Sequence, residues 1–425
     1  MIRRAALLAL MLVAAPVAAA PVSRTTLDNG LTVLVKPNPA ASVVAVEAFF
    51  RISVADEPEN FAGLRGLVHQ LLLKPIRPAA LTELQDRGGS LDGALGLDYT
   101  EVYASCAAAD FGLAVRALAD VITGPDLSPD SILAQRRAAM SSRAALDRDA
   151  FQAAYLGLRE VLHAGHPYAR AAQGAVEGID APTRDDLIAF YNHFYRPERC
   201  VIAISGDVDP VAAARALRDA LGAWNPPNAP APPAAPTETA GSGPRIRLRE
   251  LPVTTASVLI GFPAPPAGSP DYPVVQVIST LLGGGMSSRL FREIRDTRAL
   301  AYEVNTFYPT LVGPSHLGIY LTTDRTLVNE VKDVVLSEIE RLRREPVGEA
   351  ELARARAYLI GAYQLSRQRN KQQAYYLAWY ETIGLGAGHD DRYPESIAGV
   401  TAEQVLDCAR RHLDFPEISL VFPAL

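Results

Sequence analysis

The sequence predicts an α+β protein made of two duplicated, homologous domains, each an antiparallel sheet with helices packed on one face. Three observations carry that prediction. The chain has 425 residues, too many for one ordinary core. Residues 225–244 (NPPNAPAPPAAPTETAGSGP) are rich in proline, alanine and small polar residues, so they can neither bury apolar surface nor propagate a helix, and they read as a linker. The order of strand and helix patterns in 21–224 then recurs in 245–425, the signature of a duplicated unit.

The elements follow in order. Thr26 to Lys36 alternates around Asn29-Gly30 and reads as a β-hairpin. Ser42 to Val54 is a strand. Phe61 to Lys74 switches to helical spacing, with Leu64, Leu67, Val68, Leu71 and Leu72 on one face. Gly88-Gly89-Ser90 breaks the chain before alternating residues from Ala94 to Ala108. Helical patterns cover Phe111 to Ile122, Pro129 to Leu146, Ala150 to His163 and Thr183 to Tyr195, and Cys200 to Ser205 is a buried strand. After the linker, the strand Ala256 to Phe262 leads to the helix Pro273 to Leu282. The glycines Gly283, Gly284 and Gly285 follow, then a short helix Arg289 to Thr297 and strands at Ala301 to Tyr308 and His316 to Thr322. Helices at Leu327 to Arg344, Glu349 to Arg367 and Gln372 to Ile383, a helix capped by Thr401, and the strand Ile418 to Phe422 repeat the end of the first half.

Composition narrows function. Hydrophobic residues make up 49% and charged residues 21%, the proportions of a folded globular protein. A net charge of −6 without a basic stripe argues against a general nucleic-acid binder. At the N-terminus, Arg3 and Arg4 precede an apolar run from Ala5 to Ala15 and small residues to Ala20. This is a secretory signal pattern over residues 1–20, too short to span a bilayer comfortably, and it predicts export to the periplasm. Cys106, Cys200 and Cys408 are odd in number and sit in apolar contexts, so buried thiols are expected rather than a disulfide framework.

The densest cluster of chemical interest is Leu281 to Tyr308. A guanidinium near the end of its helix, Arg295, and a phenol at the start of the next strand, Tyr302, could converge on one carbonyl. The glycines Gly283–Gly285 lack the Lys-Ser/Thr ending of a phosphate loop, so nucleotide binding is not indicated. From the residues alone they read as a tight turn that allows close backbone approach.

Several stretches together resemble the insulinase or pitrilysin-type zinc peptidases, in particular the short-chain branch with the mitochondrial processing peptidase. These are Asp28-Asn-Gly-Leu-Thr-Val, Asp56-Glu-Pro through Gly63-Leu64, Gly88-Gly89, Asp98-Tyr-Thr-Glu-Val-Tyr, His166-Pro-Tyr, Tyr195-Arg-Pro, Gly206-Asp-Val-Asp-Pro and Gly283 to Tyr302. The family binds zinc through an inverted His-x-x-Glu-His on the helix after the second strand. Two imidazoles one turn apart reach one cation there, and the glutamate acts as general base. Aligned through Gly63-Leu64 and Leu72-Leu73-Lys74, this chain has Gly66 and Gln70 at the imidazole positions and His69 at the glutamate position. Ser141 and Ser142 stand where a distal carboxylate ligand is expected. No zinc site is predicted on this chain, and His69 reads as a packing residue. His163-Ala-Gly-His166 has a metal-like spacing but lies in a loop with no acidic or Cys partner nearby, and His166-Pro167-Tyr168 matches a non-ligand element of the family.

The resemblance implies that Tyr302 donates to the oxyanion at the scissile carbonyl and Arg295 holds a neighbouring substrate carbonyl, roles suited to a neutral phenol and a fixed guanidinium. It also implies a substrate-handling role for Gly283, Gly284 and Gly285. The expectation is a zinc-free subunit of a heterodimeric peptidase, with zinc on a homologous partner and unfolded peptides as substrate. The alternative is a structural or peptide-binding subunit of the same fold.

Overall fold

The computed structural model describes residues 21–228 and 245–424. The expected signal segment and residues 229–244 of the expected linker lie outside them.

In the first half, β1 (Ser23–Thr26), β2 (Thr32–Pro37), β3 (Val43–Phe50), β4 (Ser90–Leu95), β5 (Thr100–Ala107) and β6 (Cys200–Gly206) form one sheet in the order β1-β2-β6-β3-β5-β4. Its helices of interest are α1 (Leu64–Leu72), α2 (Pro129–Leu146) and α3 (Ala150–Leu162). In the second half, β7 (Ile246–Leu251), β8 (Ala256–Ala264), β9 (Ala301–Phe307), β10 (Ser315–Thr323) and β11 (Glu417–Pro423) form a sheet in the order β7-β11-β8-β10-β9. The corresponding helices are α4 (Tyr272–Gly283), α5 (Glu349–Leu365) and α6 (Asn370–Thr382).

Shifting the strand numbers β2 to β6 by five reproduces the second sheet, so the duplication read from the sequence extends to the hydrogen-bonding order. Pairing is antiparallel except for one parallel pair in each sheet, β2 with β6 and β7 with β11, again at equivalent places. That pair joins the first and last strands of each repeat, and its long connection over the sheet permits parallel pairing.

Each half packs its own helices on one face of its sheet, as expected, with a core running from Leu27 to Trp224 in the first and from Ala256 to Leu420 in the second. The other face holds what the sequence reading did not include. Helix α3 leaves the first half and lies on β7, β8 and β11, where Leu158 meets Leu259 and Val421. Helix α6 leaves the second half and lies on β3 and β6, where Leu377 and Ala378 meet Leu34, Phe49 and Val201. The halves therefore exchange equivalent helices. Each sheet is buried on both faces, which explains the nearly continuous apolar run of β3, VVAVEAFF. Full burial of one leucine such as Leu158 stabilises by about 1.5–3 kcal/mol.

Three finer differences from the sequence reading have local causes. Strand β4 begins at Ser90 rather than Ala94, because its outer positions Ser90, Asp92 and Ala94 are exposed and supply little apolar signal. Strand β7 and the helices Ala79–Asp86, Pro210–Leu221 and His389–Ala398 were missed. The helix expected at Arg289 to Thr297 is π-wound over Phe291–Thr297. Cys106, Cys200 and Cys408 are free and buried, and no helix among the described residues is long and apolar enough to cross a membrane.

Candidate functional site

The second-half site begins where α4 stops. A Cβ at Gly283 would come within 2.6 Å of the Thr306 side chain on β9, so a glycine is required for that close approach. Gly285 adopts φ +91°, the left-handed turn that releases the chain from the helix. The N–H groups of Gly284 and Gly285 donate to Thr280 and Gly283 carbonyls at 2.8 and 3.0 Å, so they form no open cradle. The loop instead carries an exposed Met286 at its tip. Arg289 then anchors the next segment: buried to 8% exposure, it makes a bidentate pair with Glu351 of α5 at 2.7 and 2.9 Å.

The π-wound segment brings Arg295 and Tyr302 together. The Arg295 guanidinium lies 4.5 Å from the Tyr302 ring centroid and 4.8 Å from that of Phe291. Ala299, at φ +52°, makes the sharp exit into β9, and the Leu300 N–H returns to the Ile294 carbonyl at 2.8 Å. Widened π turns are rare and concentrate at functional sites. The pairing predicted from the sequence is thus a face-on stack. The stack uses the Tyr302 ring and leaves its hydroxyl unengaged, with the residue 80% exposed on the edge strand β9. A phenol and a guanidinium so held can donate to two neighbouring carbonyl oxygens.

The first-half site is built differently. Glu57 accepts from the N–H groups of Gly63 and Arg65 at 3.0 and 2.7 Å, starting α1. Arg65 is fully buried and donates to the carbonyls of Gly96 and Tyr99 at 2.7 and 3.0 Å, pinning α1 to the β4–β5 turn. Sequence reasoning missed both, although Glu57 lies within a stretch that carried the resemblance. His69 is fully buried, and neither of its ring nitrogens has a hydrogen-bond partner. It packs so tightly on Gly93 of β4 that a Cβ there would lie 2.6 Å from its Nε2. Burial pushes its pKa down to about 3, so it is neutral.

Gly66, Gln70 and Ser142, three of the positions where ligands were sought, do converge. They line one cavity of about 160 Å3 between α1 and α2, together with Gln135, Gln173 and Leu95. The convergence supplies no imidazole, carboxylate or thiolate, so the residues present do not fit zinc. Ser141 is not among the lining residues.

The other histidines are engaged elsewhere. His163 Nε2 lies 3.0 Å from His316 Nδ1, and His316 Nε2 lies 3.1 Å from the Tyr155 hydroxyl, in the seam between α3 and β10. The His166 ring accepts from the Tyr168 N–H at 3.2 Å. Among the described residues, Asp271, Cys408 and His412 form the one group of three potential ligands within 4.8 Å of one another. There the Asp271 carboxylate is taken by Arg411 at 2.9 Å and His412 at 3.2 Å, and burial pushes the Cys408 thiol up to about 12. That cluster is a charge network.

Known proteins resemble this chain in sequence and in fold. Residues 182–359 match the family described as "Peptidase M16 inactive domain". An "Uncharacterized zinc protease" of Mycobacterium tuberculosis strain H37Rv is 29% identical over 94% of this chain and 92% of its own length. A "Probable mitochondrial-processing peptidase subunit beta" of Schizosaccharomyces pombe is 25% identical over 80% of this chain and 78% of its own. Among solved structures, a protease from Helicobacter pylori superposes with a TM-score of 0.88 at 18% identity, covering 96% of this chain and 100% of that one. A peptidase M16 inactive domain from Pseudomonas fluorescens gives 0.83 at 21% identity, covering 95% of this chain and 98% of its own. With a duplicated fold and the motifs in order, the chain is similar to the insulinase-like M16 peptidases and its residues 182–359 match their inactive domain, while Gly66, Gln70 and Ser142, aligned with the metal ligands of those peptidases, offer no metal-binding group.

Proposed function

We propose that this chain is the zinc-free subunit of a heterodimeric peptidase, exported to the periplasm, which completes the active site of a homologous zinc-bearing partner in trans. The observation that carries the reading is the contrast between Arg295–Tyr302, held in a stack with an exposed hydroxyl, and a metal position made of Gly66, Gln70 and Ser142.

In this reading the partner contributes zinc and the general base. Tyr302 donates to the charge that develops on the scissile carbonyl, and Arg295 holds the adjacent carbonyl of an unfolded peptide. Gly283 to Gly285 act through shape, carrying the Met286 tip toward the substrate. The free edge of β4 offers main-chain pairing to an extended peptide. Support for the partner comes from the peptidase-subunit name of a relative; support for export comes from the pattern of residues 1–20.

The test is to purify the chain alone and with a homologous chain that carries an intact His-x-x-Glu-His motif, and to measure zinc content and peptide cleavage. The expected result is cleavage and zinc only in the pair. Cleavage by the chain alone overturns the reading. An active pair indifferent to Tyr302→Phe replaces it with a structural or peptide-binding subunit.

A further inference from the structure

The cavity at the abandoned metal position contains no ionisable side chain. Its polar groups are the amides of Gln70, Gln135 and Gln173 and the Ser142 hydroxyl; Leu67, Leu95 and Ala138 supply the apolar part. At about 160 Å3 it is close to an engineered cavity of roughly 150 Å3 that holds benzene. Gly66, without a side chain, leaves the space on the α1 side open; a Cβ there would sit 3.6 Å from Leu95 Cδ1. His69, also on α1, packs against Gly93 and is not among the residues that line the cavity.

The cavity also lies at the end of β4, which pairs only with β5 and ends the sheet. Along β4, Leu95 faces the cavity and Gly93 faces His69 on the same side, while Ser90, Asp92 and Ala94 are exposed on the other. An extended peptide added to that edge presents alternate side chains to the α1 side.

We infer that this cavity is a specificity pocket that takes one uncharged side chain, of the size of leucine, methionine or glutamine, from an extended peptide paired with β4. The inference rests on the peptide-handling role proposed above and names the substrate feature that role selects. The lining amides satisfy a neutral polar end, the apolar wall takes the stem, and a carboxylate or ammonium entering the cavity finds no counter-charge to offset its desolvation. Asp92 moderates binding, because its carboxylate accepts the Gly93 N–H at 2.8 Å at the strand edge, a bond an incoming strand must displace.

The experiment uses the full chain and a fluorescein-labelled, unstructured ten-residue peptide, with aspartate and then asparagine walked through every position, read by fluorescence anisotropy. One position is expected at which aspartate weakens binding at least tenfold while asparagine is tolerated. Ala138→Leu, placed on an exposed helix face so that folding is kept, should fill the cavity and abolish that discrimination. Uniform losses at all positions, discrimination surviving Ala138→Leu, or no binding at all would overturn the inference. The proposed function fails separately: an active zinc-bearing pair indifferent to Tyr302→Phe leaves the pocket standing, and a flat scan with an intact Tyr302 effect leaves the in-trans role standing.

Discussion

The two halves share a strand order, a parallel pair at the same place and an exchanged third helix, yet they differ in the side chains at their candidate sites. The first half has the neutral residues Gly66, Gln70 and Ser142 around its cavity and buries His69 against Gly93. The second half holds a cation against an aromatic face and leaves the phenol in solvent. The scaffold and the chemistry are therefore under separate constraints. Sheet order and helix exchange are maintained by burial, which tolerates any apolar side chain of suitable volume.

The largest effect should come from the feature the halves share. Leu158→Ala on α3 and Leu377→Ala on α6, at 0% and 1% exposure, should each cost about 2–5 kcal/mol. Because each helix belongs to one half and covers the other's sheet, chemical denaturation should stay a single transition for both. Two transitions would show that the halves fold independently.

Tyr302→Phe, by contrast, should lower kcat of the zinc-bearing pair about 100- to 1000-fold, or roughly 3–4 kcal/mol. It should leave the melting temperature of the chain unchanged, since the residue is 80% exposed. His69→Ala should do the reverse, lowering stability without touching turnover. If both variants alter turnover equally, the contrast between the halves is wrong.

A third prediction concerns the seam under α6. Glu47 and Glu101 are buried on the sheet face that α6 covers, at 0% and 6% exposure, with three carboxylate oxygens unpartnered. Lys371, Tyr99, Tyr103 and Tyr375 are the groups that face them. Desolvation raises the Glu101 pKa to about 7, against a partial offset from Lys371. The folded state thus binds this proton more tightly than the unfolded one, and the stability it contributes is full below about pH 4.5 and lost as pH rises to about 7. Glu101→Gln should remove up to about 3 kcal/mol of that dependence. The variant should be more stable than the parent above pH 7 and no more stable below pH 4.5, as read from denaturant midpoints across pH. An unchanged slope would place the carboxylate in contact with solvent.

The smallest effect sharpens the cavity itself. Gly66→Ala should raise stability by up to about 1 kcal/mol, because the helix interior gains a better former and the new Cβ meets only ordinary contacts. A loss of stability would mean that the cavity wall is already close-packed.

Much of this architecture could be read from residue order. The repeat and most helix and strand patterns of both halves depend on local composition and period, which are properties of residue order. The motif positions around Gly66 and Arg295 were equally legible, since they depend on spacing within one or two elements. Arg65 was not, because an arginine on an apolar helix face looks like a surface charge until the carbonyls of Gly96 and Tyr99 arrive to receive it. The π winding at Phe291–Thr297 was also hidden, because one extra residue in a turn leaves the apolar pattern of a short helix unchanged.

The sequence by itself determined that two copies of one α+β unit are joined by a proline-rich stretch, that Gly66 and Gln70 offer no imidazole, and that Arg295 and Tyr302 stand seven residues apart. These are statements about residue identity and local period, and they need no partner in space. The tertiary structure alone decided which sheet each third helix covers, since an amphipathic pattern specifies an apolar face and not the surface it meets. It also decided that Gly66, Gln70 and Ser142 close around one uncharged cavity, because cavities belong to the packing of distant segments. And it decided that Arg295 stacks on Tyr302 with the hydroxyl left outside, a geometry set by the turn between them and not by the residues alone.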